Sequence, residues 1–235
     1  MRINKYLATA GIGSRRKCEE FVTAGRIHVN GKVQKNLAFD VQPNDVVKFD
    51  GRVITLPEDY TYLMMHKPKG FLTTVSDDRE RKTVMDLLPK EFKHLMPVGR
   101  LDFNSEGLLL FTNDGDIAQK LMRPQKEITK TYSVRVEGEV SKEHVEEMQK
   151  GVTTLDGTKF KPCVITIKEK KDRKTSLEVQ LTEGKNREIR KIFDKFGYNV
   201  YFLKRVSIGK IKLGGLTRGT VRLLRPTEIQ YLKTL

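Results

Sequence analysis

Cysteine and histidine are too few in this sequence, and too scattered, to build a metal site or a disulfide framework. The 235 residues include two cysteines, Cys18 and Cys163, and four histidines that stand singly along the chain. None has the paired spacing that holds zinc. Both cysteines lie in apolar local patterns, so we predict that both are reduced and buried, and that the protein holds no metal.

Long apolar runs and nucleotide-binding loops are also missing. No run of about 18 apolar residues is present to span a bilayer, and the N-terminus lacks the apolar core of a signal peptide. No glycine-rich phosphate loop and no dinucleotide fingerprint follows a predicted strand. These absences predict a cytoplasmic protein that has no membrane partner and uses no cofactor.

What the sequence has in excess is positive charge. It contains 45 Lys and Arg against 30 Asp and Glu, a net charge of +15. Such an excess favours a polyanionic partner, either nucleic acid or an acidic membrane surface. Because nothing else indicates a membrane, we expect a nucleic acid.

Residues 1–55 have the pattern of a small separate domain. Ser14 is a candidate N-cap for a helix that Gly25 ends, and Asn30-Gly31 predicts a tight hairpin. Further strands are expected on both sides of Asp50-Gly51. A short polar segment, residues 56–59, is the predicted linker to a larger domain over residues 60–235.

Arg15, Arg16 and Lys17 occupy the first turn of the helix that Ser14 caps. The helix dipole already places partial positive charge there, so cations are disfavoured by roughly 0.3–1 kcal/mol each. A solvated basic face is the ordinary explanation of such a run. Cations beside free backbone N–H groups also suit nucleic-acid phosphates, and we favour that interpretation.

Within the larger domain, residues 99–115 have the pattern that most suggests a chemical role. Arg100-Leu101-Asp102 precedes a short polar loop, and the apolar run Leu108–Phe111 predicts a buried strand. Asp102 is therefore expected on a loop beside a rigid element, where reactive groups are often carried. An aspartate in such a loop more commonly makes a turn or caps a helix.

Other basic loops and one tyrosine add to this pattern. Lys67 and Lys69 flank a Pro-Gly turn that suits phosphate contact as well as simple solvation. Tyr132 lies on the apolar face of an alternating strand, where a core position or stacking on a base are both possible. A second predicted helix also has cations at and near its start, and we expect this helix start to face an anion. These cations are Lys185, Arg187, Arg190 and Lys191.

The order of elements in residues 60–235 is irregular and rich in strands. Strands are predicted at 62–66, 108–111, 130–136, 164–167, 177–181, 201–203 and 206–211, with a basic loop at 168–174 and a last helix capped by Thr227. Helices are predicted between some of these strands, without a repeated βαβ pattern. The larger domain therefore reads as α+β with a mixed, mostly antiparallel sheet.

Residues 2–50 resemble the αL RNA-binding module of a small-subunit ribosomal protein and several RNA-modifying enzymes. The resemblance rests on Arg2–Leu7, Gly11–Lys17 and Val29–Val33. It implies that the basic helix start faces structured RNA.

The larger domain resembles the bacterial ribosomal-RNA pseudouridine synthases. The resemblance rests on Gly99–Asp102 with Gly107–Gly115, on Lys130–Tyr132 and on Glu183–Arg190. It implies that Asp102 is the essential carboxylate, that Tyr132 stacks on the target uracil, and that Arg190 pairs with Asp102. Arg100 is then a candidate for holding the RNA backbone.

The resemblance implies an enzyme that extracts a uridine from ribosomal RNA and converts it to pseudouridine without a cofactor. Arg190, within the sequence Asn-Arg-Glu-Ile-Arg, is more similar to the large-subunit enzymes, so large-subunit RNA is favoured. The expected partner is ribosomal RNA or a ribosome assembly intermediate. We expect the protein to bind it as a monomer. A non-catalytic RNA-binding assembly factor is the alternative, and a DNA-binding regulator is a weaker one.

Overall fold

The computed structural model describes residues 1–57, 59–154 and 156–235, apart from the side chain of Pro124. These residues form two compact units, one of residues 1–61 with 113–115 and one of residues 62–112 with 116–235. Within the predicted linker 56–59, Glu58 lies outside the described residues. No helix among the described residues is long and apolar enough to cross a membrane.

The first unit packs two helices on a small antiparallel sheet. Its elements are α1 Ile3–Thr9, α2 Arg15–Thr23, β1 Ile27–Val29, β2 Lys32–Val33, β3 Val47–Phe49 and β4 Arg52–Ile54, with strand order β2-β1-β3-β4. The Ser14 hydroxyl accepts a hydrogen bond from the Lys17 backbone N–H at 3.2 Å, which confirms the predicted N-cap. Cys18 is buried and free, and burial raises its pKa to about 11.

The rest of the chain contains eleven strands, four α-helices and three short 3₁₀ helices among its described residues. The strands are β5 Tyr62–Lys67, β6 Met96–Val98, β7 Glu106–Thr112, β8 Lys130–Glu137, β9 Val152–Thr153, β10 Lys159–Phe160, β11 Val164–Lys171, β12 Lys174–Leu181, β13 Val200–Ile208, β14 Ile211–Lys212 and β15 Val221–Leu223. The helices are α3 Gly115–Met122, α4 Lys142–Gln149, α5 Glu188–Lys195 and α6 Pro226–Lys233.

A nine-stranded sheet organises the second unit, with the order β11-β12-β8-β13-β7-β5-β15; β14 pairs with β13 and β6 with β7. Of the pairs between described strands in this sheet, β7 with β13 is the parallel one. The predicted α+β class with a mixed, mostly antiparallel sheet is confirmed. The predicted strand at Leu108–Phe111 is the buried centre of β7.

Two apolar cores pack against the two faces of this sheet. One contains Leu63, Leu109, Val134 and Leu203 together with side chains of α4 and α5. The other contains alternate residues of β5 and β7 packed against α3 and α6. Because side chains alternate along a strand, β7 can be buried on both faces, and its seven residues are all buried.

Three boundary predictions were wrong. The basic loop expected at 168–174 is strand for most of its length, since β11 continues to Lys171 and β12 begins at Lys174 around a two-residue turn. The two strands expected at 201–203 and 206–211 are one strand, β13, up to Ile208. The last helix begins at Pro226, so Thr227 lies inside it rather than at its cap.

Candidate active site

A cavity of about 480 Å³ opens beside the place where β7 and β13 meet. These two strands pair at only two positions, Lys204 with Glu106 and Arg205 with Gly107. Leu110 and Ile208, which lie beyond that pair on each strand, both line the cavity. Its polar and charged lining is Arg100, Asp102, Ser105, Lys130, Tyr132, Thr182, Glu183, Lys185, Arg187, Glu188 and Arg205.

Asp102 begins a tight turn that leads into β7. The Ser105 N–H donates to the Asp102 carbonyl at 3.0 Å, and the Gly70 N–H donates to the Phe103 carbonyl at 2.9 Å. Just before the turn, the Thr73 hydroxyl donates to the Leu101 carbonyl at 2.8 Å. Asp102 is half-buried and lines the cavity, so a rigid turn presents its carboxylate there.

Lys67 holds this turn from beneath, which corrects its predicted role as an RNA contact. It is fully buried. Its ammonium donates to the carbonyls of Pro68 at 3.0 Å, Asp102 at 3.0 Å and Ser105 at 2.9 Å. Burial lowers the pKa of Lys67 to about 8, although Asp102 and Glu106 oppose that shift. A phosphate cannot reach a side chain with no exposed surface.

Arg205 is a buried cation in the wall of the cavity, and the sequence analysis did not identify it. It is 3% exposed, and its Nε donates to the Leu108 carbonyl at 2.8 Å. Its Nη1 lies 3.5 Å from the Arg100 carbonyl, and its Nη2 has no partner among the described residues. An unpaired buried N–H is costly, so Arg205 offers the cavity a donor that a ligand can satisfy.

Tyr132 faces the same cavity from β8. It is 8% exposed, it belongs to the first core, and its register partner on β13 is Arg205. Asp102 and Tyr132, predicted from separate segments, thus line one cavity. The ring is held by the sheet, as a stacking surface requires.

The predicted ion pair between Arg190 and Asp102 is not formed. Arg190 donates from Nη1 to the Val200 carbonyl at 2.6 Å and from Nη2 to the Asn104 carbonyl at 3.2 Å. Burial and Arg187 lower the pKa of Arg190, while Asp102 acts in the opposite direction. Within the described part of the chain, no cation lies within 4.0 Å of the Asp102 carboxylate, so Arg190 acts on the end of its turn.

Two glutamates and a lysine form a polar wall of the cavity. Glu188 is 3% exposed; its carboxylate accepts from the Lys185 N–H at 2.9 Å, and Oε1 has no described partner. Burial raises the pKa of Glu188 to about 7, and the nearby Glu183 adds to the shift. Burial, with Arg205 nearby, lowers the pKa of Lys130, whose ammonium donates to the Glu183 carbonyl at 3.3 Å.

The other residues predicted to contact RNA differ in exposure and in whether they line the cavity. Arg100, Lys185 and Arg187 are exposed and line the cavity. Lys69 is exposed, whereas Lys191 is half-buried and makes an ion pair with Asp156 at 2.8 Å.

On α2 of the first unit the three predicted cations also differ. All three are exposed. Lys17 makes an ion pair with Glu20 at 2.6 Å, and Arg15 lies 3.4 Å from the Asn4 side chain. Among the described residues no ion pair involves Arg15 or Arg16, which leaves both charges available.

Part of the cavity wall could have been found in the sequence. Leu203 and Arg205 are two positions apart, so alternation along a continuous strand places both on the buried face. A cation on that face indicates a functional site. Because two separate strands were predicted on either side of Lys204-Arg205, this alternation was not recognised. Among the described residues, no group of three or more His, Cys, Asp or Glu side chains could hold a metal ion.

Comparison with protein families identifies both parts of the chain. Residues 61–195 match the model of the RNA pseudouridylate synthase family, and residues 1–47 match the S4 domain. A crystal structure described as a pseudouridylate synthase has the same fold, with a TM-score of 0.71 at 24% identity, covering 99% of each chain.

Two relatives carry a more specific name. The ribosomal large subunit pseudouridine synthase B of Bacillus subtilis is 37% identical over 236 residues, covering 100% of this chain and 96% of the relative. The protein of the same name from Haemophilus influenzae is 40% identical over 246 residues, covering 100% of this chain and 67% of the relative. With its matching domain and with relatives that are similar over its whole length, this chain belongs to the RNA pseudouridylate synthase family.

Proposed function

We propose that this protein converts a uridine of large-subunit ribosomal RNA to pseudouridine at the cavity that Asp102 and Tyr132 line. The observation that carries the assignment of residues is their convergence, from the turn before β7 and from β8, on one cavity of about 480 Å³. That volume lies within the usual range of ligand sites, roughly 300–1,000 Å³. The names of two relatives that are similar over the whole length of this chain support the large subunit.

The reaction needs a base removed from its stack and held while two bonds change. The bond from N1 of uracil to C1′ of the ribose breaks, the uracil turns, and a bond from C5 to C1′ forms. C5 then loses a proton and N1 gains one. Asp102 assists either by attacking C1′ or by removing a proton from the sugar, and Tyr132 stacks on the turning base.

The cavity supplies three further conditions for this reaction. Apolar walls that include Leu110, Leu203 and Ile208 limit water around a uracil released from its sugar. The unpaired Nη2 of Arg205 is a donor for a uracil or ribose oxygen. The exposed cations Arg100 and Arg187 at its rim suit the flanking phosphates.

Asp102→Asn tests the central role. The substitution keeps the side-chain shape, so we expect pseudouridine formation to fall to background while RNA affinity stays within about twofold. A matched control is Asp194→Asn on the exposed side of α5, which should keep full activity. Turnover retained by the Asp102 variant would remove it from the mechanism.

The target can be found in cells. Ribosomal RNA from a deletion strain is treated with a pseudouridine-specific reagent, and reverse-transcription stops are compared with those of the parent strain. One missing stop in large-subunit RNA is expected, and it should return with the wild-type gene but not with Asp102→Asn. An unchanged pattern in both subunits would support the non-catalytic assembly factor. A monomer acting on an assembly intermediate is also part of the proposal.

A further inference from the structure

We propose that an aromatic–basic patch on the uncovered face of β8, β12 and β13 binds unpaired nucleotides that flank the target uridine. The patch consists of Lys69, Arg135, Lys174, Tyr201 and Phe202. The proposal rests on RNA being the substrate. It adds a surface outside the cavity, where bases are held by stacking rather than by a fit to uracil.

The patch lies on the face of the sheet opposite the first core. Val134 and Val136 of β8 and Thr175 and Leu177 of β12 are buried toward that core. Side chains alternate along a strand, so Arg135 and Lys174 point to the other face. Both are exposed, and neither core cluster includes a member of the patch.

Cations and aromatic rings alternate across this surface. The Arg135 guanidinium lies 4.9 Å from the centre of the Phe202 ring, and the Lys69 ammonium lies 5.6 Å from it. The Lys174 ammonium lies 5.8 Å from the Tyr201 ring, and Tyr201 is 37% exposed. Exposed cation–π contacts add little to stability, whereas rings and guanidinium planes beside free cations suit nucleobases and phosphates.

The charges of the patch are not neutralised by the protein. In the described parts of the chain, no carboxylate lies within 4.0 Å of Lys69, Arg135 or Lys174. The neighbouring Glu137 carboxylate accepts instead from the Asn199 amide at 3.0 Å. Three unpaired cations around two aromatic rings make a polyanion with flat bases the complementary occupant, which describes a single-stranded RNA segment.

The patch is joined to the turn that carries Asp102. The Lys69 ammonium donates to the Tyr201 carbonyl at 3.2 Å, and Arg190 bridges the Val200 and Asn104 carbonyls. Along β13, Phe202 comes three residues before Arg205, a distance of about 10 Å in a strand. The patch and the cavity-lining side chains of Leu203 and Arg205 lie on opposite faces of β13, so an RNA chain with its target base in the cavity reaches the patch by passing around the Asp102 turn.

Binding of short oligonucleotides to the full-length protein tests the proposal without relying on its chemistry. The probe is a labelled oligoadenylate of about six nucleotides, and its binding is measured by fluorescence anisotropy. An abasic oligomer of equal charge is the control probe. Adenine is not a substrate for uridine isomerisation. Loss of pseudouridine formation would thus leave this measurement interpretable.

Tyr201→Ala should weaken binding of the oligoadenylate by about 5- to 150-fold, the effect of one lost base–aromatic stack. It should change binding of the abasic oligomer by less than about twofold. Tyr201→Phe keeps the ring and should bind like wild type. Lys210→Ala removes the cation from a similar pair with Tyr231 elsewhere on the unit, and it should keep the wild-type preference for the oligoadenylate over the abasic oligomer.

Three results would overturn the proposal. The first is the absence of measurable binding of the oligoadenylate by the wild-type protein. The second is an equal loss for the oligoadenylate and the abasic oligomer in Tyr201→Ala, which would leave only a charge or folding effect. The third is a Tyr201→Phe protein as weak as Tyr201→Ala.

Discussion

At Lys67 a charged side chain has the burial of a core residue. Its ammonium donates to three carbonyls, two of which belong to the Asp102 turn. An ammonium has three donors, so the match is complete. Burying this charge costs free energy, and the cost lowers the pKa of Lys67 to about 8. The three hydrogen bonds offset part of the cost and fix the geometry of the turn.

Lys67→Met should separate the positioning of Asp102 from RNA binding. The variant leaves three carbonyls without this donor, so the turn loosens and the turnover rate should fall by roughly 10- to 100-fold. RNA affinity should remain within about twofold, measured by anisotropy, because Lys67 has no exposed surface. Lys69→Met is the control with an exposed lysine, and it should weaken affinity instead. A reversed pattern would restore Lys67 as an RNA contact.

The same lysine predicts a pH dependence of stability. Its pKa is about 8 in the folded protein, below the ordinary value of 10.5, so between these pH values the unfolded chain holds a proton that the folded protein has released. Stability from this group therefore rises with pH in that window, by roughly 1–3 kcal/mol in total. Urea unfolding should show this rise in wild type and not in Lys67→Met.

At the scale of the elements, the contact of β7 with β13 depends on one glycine. Gly107 has φ of +114°, and a Cβ there would lie 2.2 Å from the Arg205 carbonyl oxygen. An L side chain at this position is strained and also collides with the backbone of the neighbouring strand. The two strands can approach closely because position 107 has no side chain.

Gly107→Ala should separate β7, which follows the Asp102 turn, from β13, which carries Arg205. We expect a loss of about 2–6 kcal/mol in the free energy of unfolding, from backbone strain together with overpacking, and a loss of activity. Gly219→Ala is the matched control, because Gly219 has φ of +82° but a Cβ added there would meet no atom within 4 Å. It should cost only the strain, about 1–3 kcal/mol. Similar urea midpoints for the two variants would contradict the close-approach argument.

Local patterns predicted most of the elements correctly. The Ser14 cap, the Asn30-Gly31 turn and the alternation of β8 depend on neighbouring residues, so the sequence shows them directly. Lys67 could not be placed in this way, and for Arg205 the alternation of β13 indicates burial but not the hydrogen-bond partners. Those partners are backbone carbonyls of a distant turn and strand, which local sequence does not show.

At the scale of the whole molecule, the net charge of +15 belongs mostly to the second unit, because the first unit carries only +2, and it is expected to steer RNA association. In the first unit, Arg15 and Arg16 have no ion-pair partner among the described residues. In the second, exposed cations surround the cavity. Both regions are therefore expected to contribute to the salt dependence of binding.

Reversing the charge of Arg15 and Arg16 together should weaken RNA binding. The slope of the logarithm of affinity against the logarithm of salt concentration should become less steep by roughly 1–2, as expected for two lost phosphate contacts. Single-turnover chemistry at saturating RNA should be unchanged. The control is reversal of Lys142 and Lys150, two exposed lysines at the ends of α4, which changes the net charge equally. An equal effect of both double variants would show that net charge alone matters.

The two-position contact between β7 and β13 also determines when the cavity can exist during synthesis. Arg205 and Leu108, joined by a hydrogen bond across this contact, are 97 positions apart in the chain. A loop of that length must close before the cavity has its second wall. A growing chain that has released Asp102 and Tyr132 from the ribosome but not β13 has no complete site, so the enzyme becomes competent only after β13 has emerged.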